Sequence, residues 1–244
     1  LARQAGGDAR FALNALEAAA LVAGMVSGEG KALITGDLID EALATRMVDY
    51  DRQGDQHYDF ASAFIKSIRG SDPDAALYWM VRMLEGGEDP LYLARRLIIS
   101  ASEDIGNADP GALTLAVSTA QAVQMIGLPE GKIPLAQAVT YLATAPKSNS
   151  SYIALNEASR LAEQSRQDQV PPHLRSGSYR GAARLGCGKG YLYPHDYPGH
   201  YVCQEYLPPG LAGKRFYRPS GEGFEKCIRE RMNSRPKKGM EQDG

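Results

Sequence analysis

Cysteine, tryptophan and long uncharged apolar runs are scarce or missing in this chain of 244 residues. The three cysteines, Cys187, Cys203 and Cys227, are too few and of odd number for the disulfide framework of a secreted domain. No stretch reaches the roughly 18 apolar residues that a membrane-spanning helix needs. The first ten residues lack the apolar core of a signal peptide. We therefore expect a protein of the reducing cytoplasm.

Nucleotide-binding motifs are also missing from the sequence. There is no G-x-x-x-x-G-K-[ST] loop and no βαβ pattern to hold one. The nearest approach surrounds Gly188 and Lys189, but Ala183 stands where the first glycine belongs and Gly190 where Ser or Thr belongs. No nucleophile with a neighbouring base is evident either, so we predict no catalytic residue in this chain.

The spacing of the cysteine and histidine residues argues against a metal site. Cys187, His195, His200 and Cys203 give the pattern C-x7-H-x4-H-x2-C. Structural zinc sites carry paired ligands at C-x2–4-C or H-x3–5-H, and only the two histidines fit. We predict no bound metal, with the thiols acting as small apolar side chains.

What the sequence does contain is a strong charge asymmetry. Residues 1–170 carry a net charge of −8, and residues 171–244 carry +6 together with seven of the 13 tyrosines. A basic, Tyr-rich end after an acidic body fits a surface that faces a polyanion. It fits equally a solvated tail whose charge serves solubility.

The body of the chain has the periodicity of amphipathic helices. Helices are predicted over 9–26, with Leu13, Leu16 and Ala20 on one face, and over 38–48, with Asp37 as the N-cap. Residues 49–58 are polar and are predicted to form a linker. Apolar stripes then recur between 60 and 167, and three of these helices begin with the same device, an Asp cap followed by Pro, at residues 72–73, 89–90 and 109–110.

The last third of the chain has a different texture. Proline and glycine recur too often for long helices, and residues 200–207 and 214–219 have the composition of short strands that could pair. A closing helix is predicted over 222–232. The expected fold class is mainly α, a helical lid remnant plus a helical bundle, with a small irregular or β region at the end.

Several long segments resemble one known family. GGDARFALNALEAA (6–19) is similar to the sensor-2 helix of AAA+ ATPases of the clamp-loader kind. The segments starting YDRQGDQHYDF (50–60), LAQAVTYLATAPKSNSSY (135–152) and GKGYLYPHDYPGHYVCQEYLP (188–208) resemble the replication-associated recombination protein A family, also called RarA or MgsA, with its eukaryotic relative, the Werner-helicase-interacting protein. These segments occur in family order and span nearly the whole chain.

The resemblance implies an organisation in three parts. Residues 1–48 would be the end of an AAA+ lid, 49–168 a helical, clamp-loader-like oligomerisation domain that forms a homotetramer, and 169–244 a basic, Tyr-rich C-terminal region. Because the chain begins with Leu in the middle of a helical pattern, we expect it to be a piece of a longer protein. ATP and Mg²⁺ would bind that longer protein, an ATPase, and not this part alone.

The resemblance also assigns roles to individual residues. Arg10 would contact the γ-phosphate as the sensor, and Asp8 would cap the same helix. The expected activity is DNA-dependent ATP hydrolysis in replication, recombination and repair at stalled forks, at the nucleoid, with single-strand-binding protein as a further partner. The DNA-binding candidates are the cations of the basic end: Arg175, Arg180, Arg184, Lys189, Lys214 and Arg215. The alternative is an interaction module that binds replication proteins and makes no DNA contact itself.

Overall fold

The protein is described by a computed structural model that covers residues 13, 16, 17, 19, 20, 23, 34–39, 55–177 and 187–236. The seven longer helices in this part are α1 Asp55–Arg69, α2 Pro73–Glu85, α3 Pro90–Ser100, α4 Gly111–Ile126, α5 Lys132–Thr144, α6 Ser150–Gln164 and α7 Glu225–Asn233. The chain divides into two compact units, which are described separately. The mainly helical fold class predicted from the sequence is confirmed.

The first unit contains residues 1–97 and 118–144, so its described core comes chiefly from α1, α2 and α5. Each of these helices buries one apolar face. The fully buried side chains include Phe64 and Ile68 of α1, Met80 and Met83 of α2, and Leu135 and Leu142 of α5. Burial of a side chain of this size stabilises the fold by about 1.5–3 kcal/mol, which makes this three-helix contact the main support of the unit.

The second unit contains residues 98–117 and 145–244. After α3 the chain makes a π-helical turn, Ala101–Ile105, and a 3₁₀ turn, Gly106–Ala108. Ile105 and Ala108 are buried there together with two carboxylates, Asp104 and Glu225. This unit therefore has a small apolar core that is interrupted by buried polar groups, and such groups need hydrogen-bond partners.

The Asp-Pro starts predicted for three helices are confirmed. The side chain of Asp72 accepts a hydrogen bond from Ala75 N at 2.9 Å. Asp89 accepts one from Leu91 N at 2.9 Å, and Asp109 accepts one from Gly111 N at 3.0 Å. Each cap satisfies a backbone N–H that has no partner within its helix. These carboxylates are therefore architectural.

Removal of one cap should be measurable. We expect Asp72→Ala to lower the free energy of unfolding by about 1 kcal/mol, because the side-chain acceptor is lost. Asp72→Asn is the matched control, since asparagine retains an acceptor and should keep nearly the wild-type value. Urea denaturation followed by circular dichroism checks both variants, and equal midpoints for them would contradict the cap.

The first fifty-eight residues differ from the sequence-based prediction in three places. Helical residues begin at 36 and Thr35 accepts from Leu38 N at 3.3 Å, so Thr35 and not Asp37 provides the cap. Residues 55–58 belong to α1 and not to a linker. Among the described residues of the first helix, Ala19 and Ala23 are buried, whereas Leu13, Leu16 and Ala20 are exposed.

The strands predicted over 200–207 and 214–219 are wrong. Both segments are described in full and neither forms a ladder. Between them and before them the chain makes short 3₁₀ turns, each beginning at a proline: Pro194–Asp196, Pro198–His200 and Pro209–Leu211. Proline lacks the N–H that a ladder requires. The residues have strand composition, but neither segment pairs with another within the described residues.

A side chain takes the place of the missing strand partner. The amide of Gln204 donates from Nε2 to Leu192 O at 2.7 Å and accepts from Leu192 N at 3.3 Å. These two hydrogen bonds have the pattern of a hydrogen-bonded residue pair between antiparallel strands, except that a side-chain amide replaces one of the two backbones. It ties residue 204 to residue 192 without any sheet.

Several large apolar residues of the helices are exposed. Val81 of α2 is 43% exposed, and Leu113 and Val117 of α4 are 43% and 39% exposed. Within the described ranges, no helix has both the length and the apolar character needed to cross a membrane.

Candidate nucleic-acid interface

Two stretches of the second unit form a basic cleft, one from the C-terminal half of α6 and the other from residues 213–218. The second stretch begins at a turn: Lys214 N donates to Leu211 O at 3.0 Å, and Gly213 has φ 76°, which favours glycine. The cleft has a volume of about 480 Å³. Its lining residues are Glu157, Arg160, Leu161, Gly213, Lys214, Arg215, Phe216 and Arg218.

Four of the lining side chains are cations and one is a carboxylate. Arg160, Lys214, Arg215 and Arg218 are all exposed to solvent. Glu157 Oε1 lies 3.6 Å from Arg218 Nη1, and that side chain of Arg218 is 70% exposed. Cations clustered in a concave site concentrate positive potential and attract polyanions.

The cleft also offers apolar surface between the charges. Phe216 and Leu161 are half-buried and belong to its lining. Phosphate contacts from Lys and Arg, combined with an aromatic ring on which a base can stack, are the two components of a surface that binds single-stranded nucleic acid.

The segment that carries the cations is anchored by a buried carboxylate. Glu225, at the start of α7, is fully buried. Its Oε1 accepts from the Tyr217 hydroxyl at 2.8 Å, and its Oε2 accepts from Ser148 Oγ at 2.7 Å and Ser220 N at 2.6 Å. Tyr217 OH in turn accepts from Asn107 Nδ2 at 3.1 Å. The residues on both sides of Arg218, Tyr217 and Ser220, are thereby fixed.

The ionisation of this cluster follows from its geometry. Burial alone would raise the pKa of Glu225, but the hydrogen bonds from Ser220, Ser148 and Tyr217 together bring that pKa below its ordinary value. Burial raises the pKa of Tyr217 and is reinforced by the Glu225 charge, against the bond from Asn107. Glu225 is therefore a carboxylate and Tyr217 a neutral donor at physiological pH.

A close backbone approach completes the anchor. Phe224 N donates to Ala108 O at 2.7 Å. Gly223 precedes it with φ 50°, and a Cβ atom there would overlap the Ala108 carbonyl and the Pro146 ring. Only glycine fits this position without displacement of the neighbouring backbone.

Lys147 and Ser148 lie in the break between α5 and α6 and make local hydrogen bonds. Lys147 is half-buried and donates to Ala145 O at 2.7 Å, and burial lowers its pKa although the Asp104 charge opposes the shift. It is not a solvated loop lysine. Asn149 occupies the N-cap position of α6 without a side-chain bond, while Ser148 Oγ accepts from Ser150 N at 3.3 Å.

The structure brings together only some of the cations predicted to contact DNA. Lys214 and Arg215 line the cleft, whereas Arg175 and Lys189 do not. Lys189 is exposed, and Arg175 uses its guanidinium on Val170 O at 2.7 Å and the Gln169 amide at 2.8 Å. The remaining predicted site residues lie outside the described residues: Asp8, Arg10, Arg180 and Arg184.

Sequence reasoning missed Arg160 and Glu157. They lie three residues apart, which places them on one face of α6, but nothing in the local pattern says that this face meets residues 213–218. The signal available was a charged pair at helical spacing on the last helix before the basic end.

A second surface is aromatic and carries few cations. We call residues 191–206 the aromatic loop. Tyr191, Tyr193 and Tyr206 are 43%, 53% and 51% exposed, and the rings of His195 and His200 lie 5.0 Å apart. Within the described ranges there is no group of three or more His, Cys, Asp or Glu residues placed to hold a metal ion. Cys187 is buried and Cys203 exposed.

Comparisons with known proteins agree with this architecture. Residues 70–235 match the family described as MgsA AAA+ ATPase C terminal, and residues 1–69 match the AAA C-terminal domain. An AAA domain-containing protein of Mycobacterium tuberculosis is 51% identical over 96% of this chain and 51% of its own length.

Two named relatives extend the comparison. The replication-associated recombination protein A of Haemophilus influenzae is 45% identical over 95% of this chain and 52% of its own length. The ATPase WRNIP1 of Dictyostelium discoideum is 37% identical over 89% of this chain and 26% of its own length. The chain spans about half the length of the bacterial relatives. On the match over residues 70–235, the chain belongs to the MgsA family of AAA+ ATPases.

Proposed function

We propose that this chain acts in replication-associated recombination as the lid, assembly and DNA-binding part of an AAA+ ATPase. The basic cleft carries the proposal, because four cations and an aromatic ring converge on one concave surface. The relatives named for replication-associated recombination supply the biological context. ATP and Mg²⁺ belong to the whole protein in this proposal, with Asp8 and Arg10 responding to the nucleotide, and the protein works at the nucleoid in the cytoplasm.

The ligand of the cleft is single-stranded DNA, including the single-stranded parts of a fork. Arg160, Lys214 and Arg215 neutralise phosphates, and each neutralised phosphate releases counterions. Phe216 offers a ring to a base, and a base is available for stacking only where the strands are unpaired. Duplex DNA would contact the cations through its phosphates, but its paired bases would not stack on the Phe216 ring.

A salt titration tests the proposal. A fluorescein-labelled oligothymidine of about 20 nucleotides is titrated with the chain at several salt concentrations. We expect log K to fall with log salt at a slope of roughly −2, which corresponds to three phosphates at about −0.7 each. Absence of binding at low salt would reject the DNA-binding role of this chain.

Self-assembly is the second part of the proposal. Large apolar side chains of the first unit remain exposed in a single chain: Met125 at 85%, Ile126 at 52%, Ile133 at 70% and Tyr141 at 40%. Patches of exposed large apolar side chains are typical of interfaces between subunits. We propose a homo-oligomer, a tetramer, that covers them.

Light scattering checks the assembly. We expect a mass of about four times the 26.4 kDa chain at high micromolar concentration, because the apolar surface is then buried. Met125→Lys combined with Ile133→Lys should lower this mass, since charges would enter the interface, whereas Lys66→Glu, an exposed substitution on α1, should not. A wild-type mass equal to one chain would contradict the proposal.

The aromatic loop favours a second candidate function, an interaction module for replication proteins such as single-strand-binding protein. Its exposed tyrosines resemble the composition of protein interfaces, and its two carboxylates, Asp196 and Glu205, disfavour a nucleic-acid backbone. The two functions are distinguished by the same oligonucleotide titration, because only the first requires binding to naked DNA.

A further inference from the structure

We infer that Glu157 is a built-in anionic competitor that occupies the basic cleft until a multivalent polyanion displaces it. The inference deepens the proposed function and rests on it. Glu157 is the carboxylate among the described lining residues, and its Oε1 faces Arg218 Nη1 at 3.6 Å. It therefore lies where a phosphate oxygen would otherwise meet this arginine.

The ion pair between Glu157 and Arg218 contributes little to the stability of the fold. The side chain of Arg218 is 70% exposed and that of Glu157 is 34% exposed. An ion pair this open to solvent contributes about 0.2–1 kcal/mol, because water and salt screen it and the side chains lose freedom. The anchor of the segment is the buried Glu225 cluster, which involves neither residue. Loss of the pair should leave the fold unchanged.

The expected consequence is selection by valence. A lone phosphate that binds Arg218 must displace the Glu157 carboxylate and then lies close to that negative charge. The repulsion and the lost ion pair largely cancel the free energy gained from the one contact with Arg218. A single strand places several phosphates on Arg160, Lys214 and Arg215 at once, and these contacts offset the cost. Glu157 thus favours a strand with several phosphates over inorganic phosphate or a mononucleotide.

Glu157→Gln tests the inference with the same labelled oligothymidine of about 20 nucleotides. Affinity should rise about fivefold, and the salt slope should steepen by about 0.7, because Arg218 gains one phosphate. Glu163→Gln is the matched control: it removes the same charge from an exposed position on α6 that does not line the cleft. That variant should bind as the wild type does.

A double-mutant comparison links the effect to Arg218. In the wild-type background, Arg218→Gln should change affinity by less than twofold, because Glu157 already neutralises this arginine. In the Glu157→Gln background, the same change should remove the fivefold gain and restore the shallower slope. Equal effects of Arg218→Gln in both backgrounds would overturn the inference.

The outcomes separate this inference from the proposed function. If Glu157→Gln and Glu163→Gln bind alike while charge reversal of Arg160, Lys214 and Arg215 weakens binding, Glu157 does not compete and the cleft still binds DNA. If that charge reversal has no effect either, the proposed DNA-binding cleft is itself wrong.

Discussion

Charge reversal at Arg160, Lys214 and Arg215 together should raise the dissociation constant for single-stranded DNA by roughly a thousandfold. Each of these side chains is expected to make a charge-assisted contact with phosphate that contributes about 1.5 kcal/mol, and 1.4 kcal/mol corresponds to tenfold in affinity. The salt slope should also become shallower by about 2, since three phosphates at about −0.7 are lost. Filter binding at low salt, repeated at several salt concentrations, measures both quantities.

The control carries the same total change of charge outside the cleft. Lys66, Arg166 and Lys226 are exposed and do not line it, so their combined reversal to Glu lowers the net charge equally. A second comparison reverses Arg175 and Lys189, the two described cations that were predicted from the sequence but lie outside the cleft. If the cleft variant weakens DNA binding no more than the control variant does, DNA binding is not localised to the cleft.

Loss of the Glu225 carboxylate should release the segment that holds the cleft cations. Glu225→Ala leaves the hydroxyls of Ser148 and Tyr217 and the amide of Ser220 without their buried acceptor, and we expect local stability to fall by about 3 kcal/mol. Amide exchange in α7 should then accelerate by roughly a hundredfold. Hydrogen exchange with mass spectrometry gives this rate peptide by peptide.

The matched control lies on the same helix. Glu230 of α7 is exposed, so Glu230→Ala should leave exchange in this helix close to wild type. Glu225→Gln keeps the size but not the charge and should give an intermediate rate. Exchange in Glu225→Ala no faster than in Glu230→Ala would show that the buried carboxylate does not anchor the segment.

The same carboxylate predicts a direction for the pH dependence. Because the pKa of Glu225 is lower in the folded protein than in the unfolded chain, the unfolded chain binds more protons between the two values. Ionised Glu225 therefore stabilises the fold fully above the ordinary carboxyl pKa, and this stabilisation is lost as the pH falls through the lowered pKa of Glu225 in the folded protein. Glu225→Gln should remove this acid-sensitive component.

Local sequence signals were sufficient for the three helices that begin with an Asp cap followed by Pro. An Asp cap followed by Pro acts within one turn, so Asp72, Asp89 and Asp109 were identified by their immediate neighbours. Apolar periodicity likewise depends on residues three and four apart. The stripe on α1, with Phe64 and Ile68 fully buried, shows how well such short-range rules perform.

Contacts between residues that are far apart in the sequence could not be predicted from local sequence patterns. Ser148 and Glu225 are 77 residues apart, and no local pattern indicates that this glutamate becomes buried. Gln204 replaces a strand partner for Leu192 by means of its side chain, which strand propensity does not describe. Arg160 joins Lys214 and Arg215 only because α6 and residues 213–218 meet in the folded chain.

Crosslinking tests the proposed nucleic-acid cleft most directly. An oligothymidine in which iodouridine replaces some bases is irradiated with the wild-type chain at low salt, and the crosslinked peptides are identified by mass spectrometry. Iodouridine reacts with side chains close to the base, so a base stacked on Phe216 should mark the peptide that contains residues 213–218. High salt should remove this crosslink, because the phosphate contacts are lost. Crosslinks confined to the aromatic loop, residues 191–206, with none at residues 213–218, would contradict the basic cleft as the site of DNA binding.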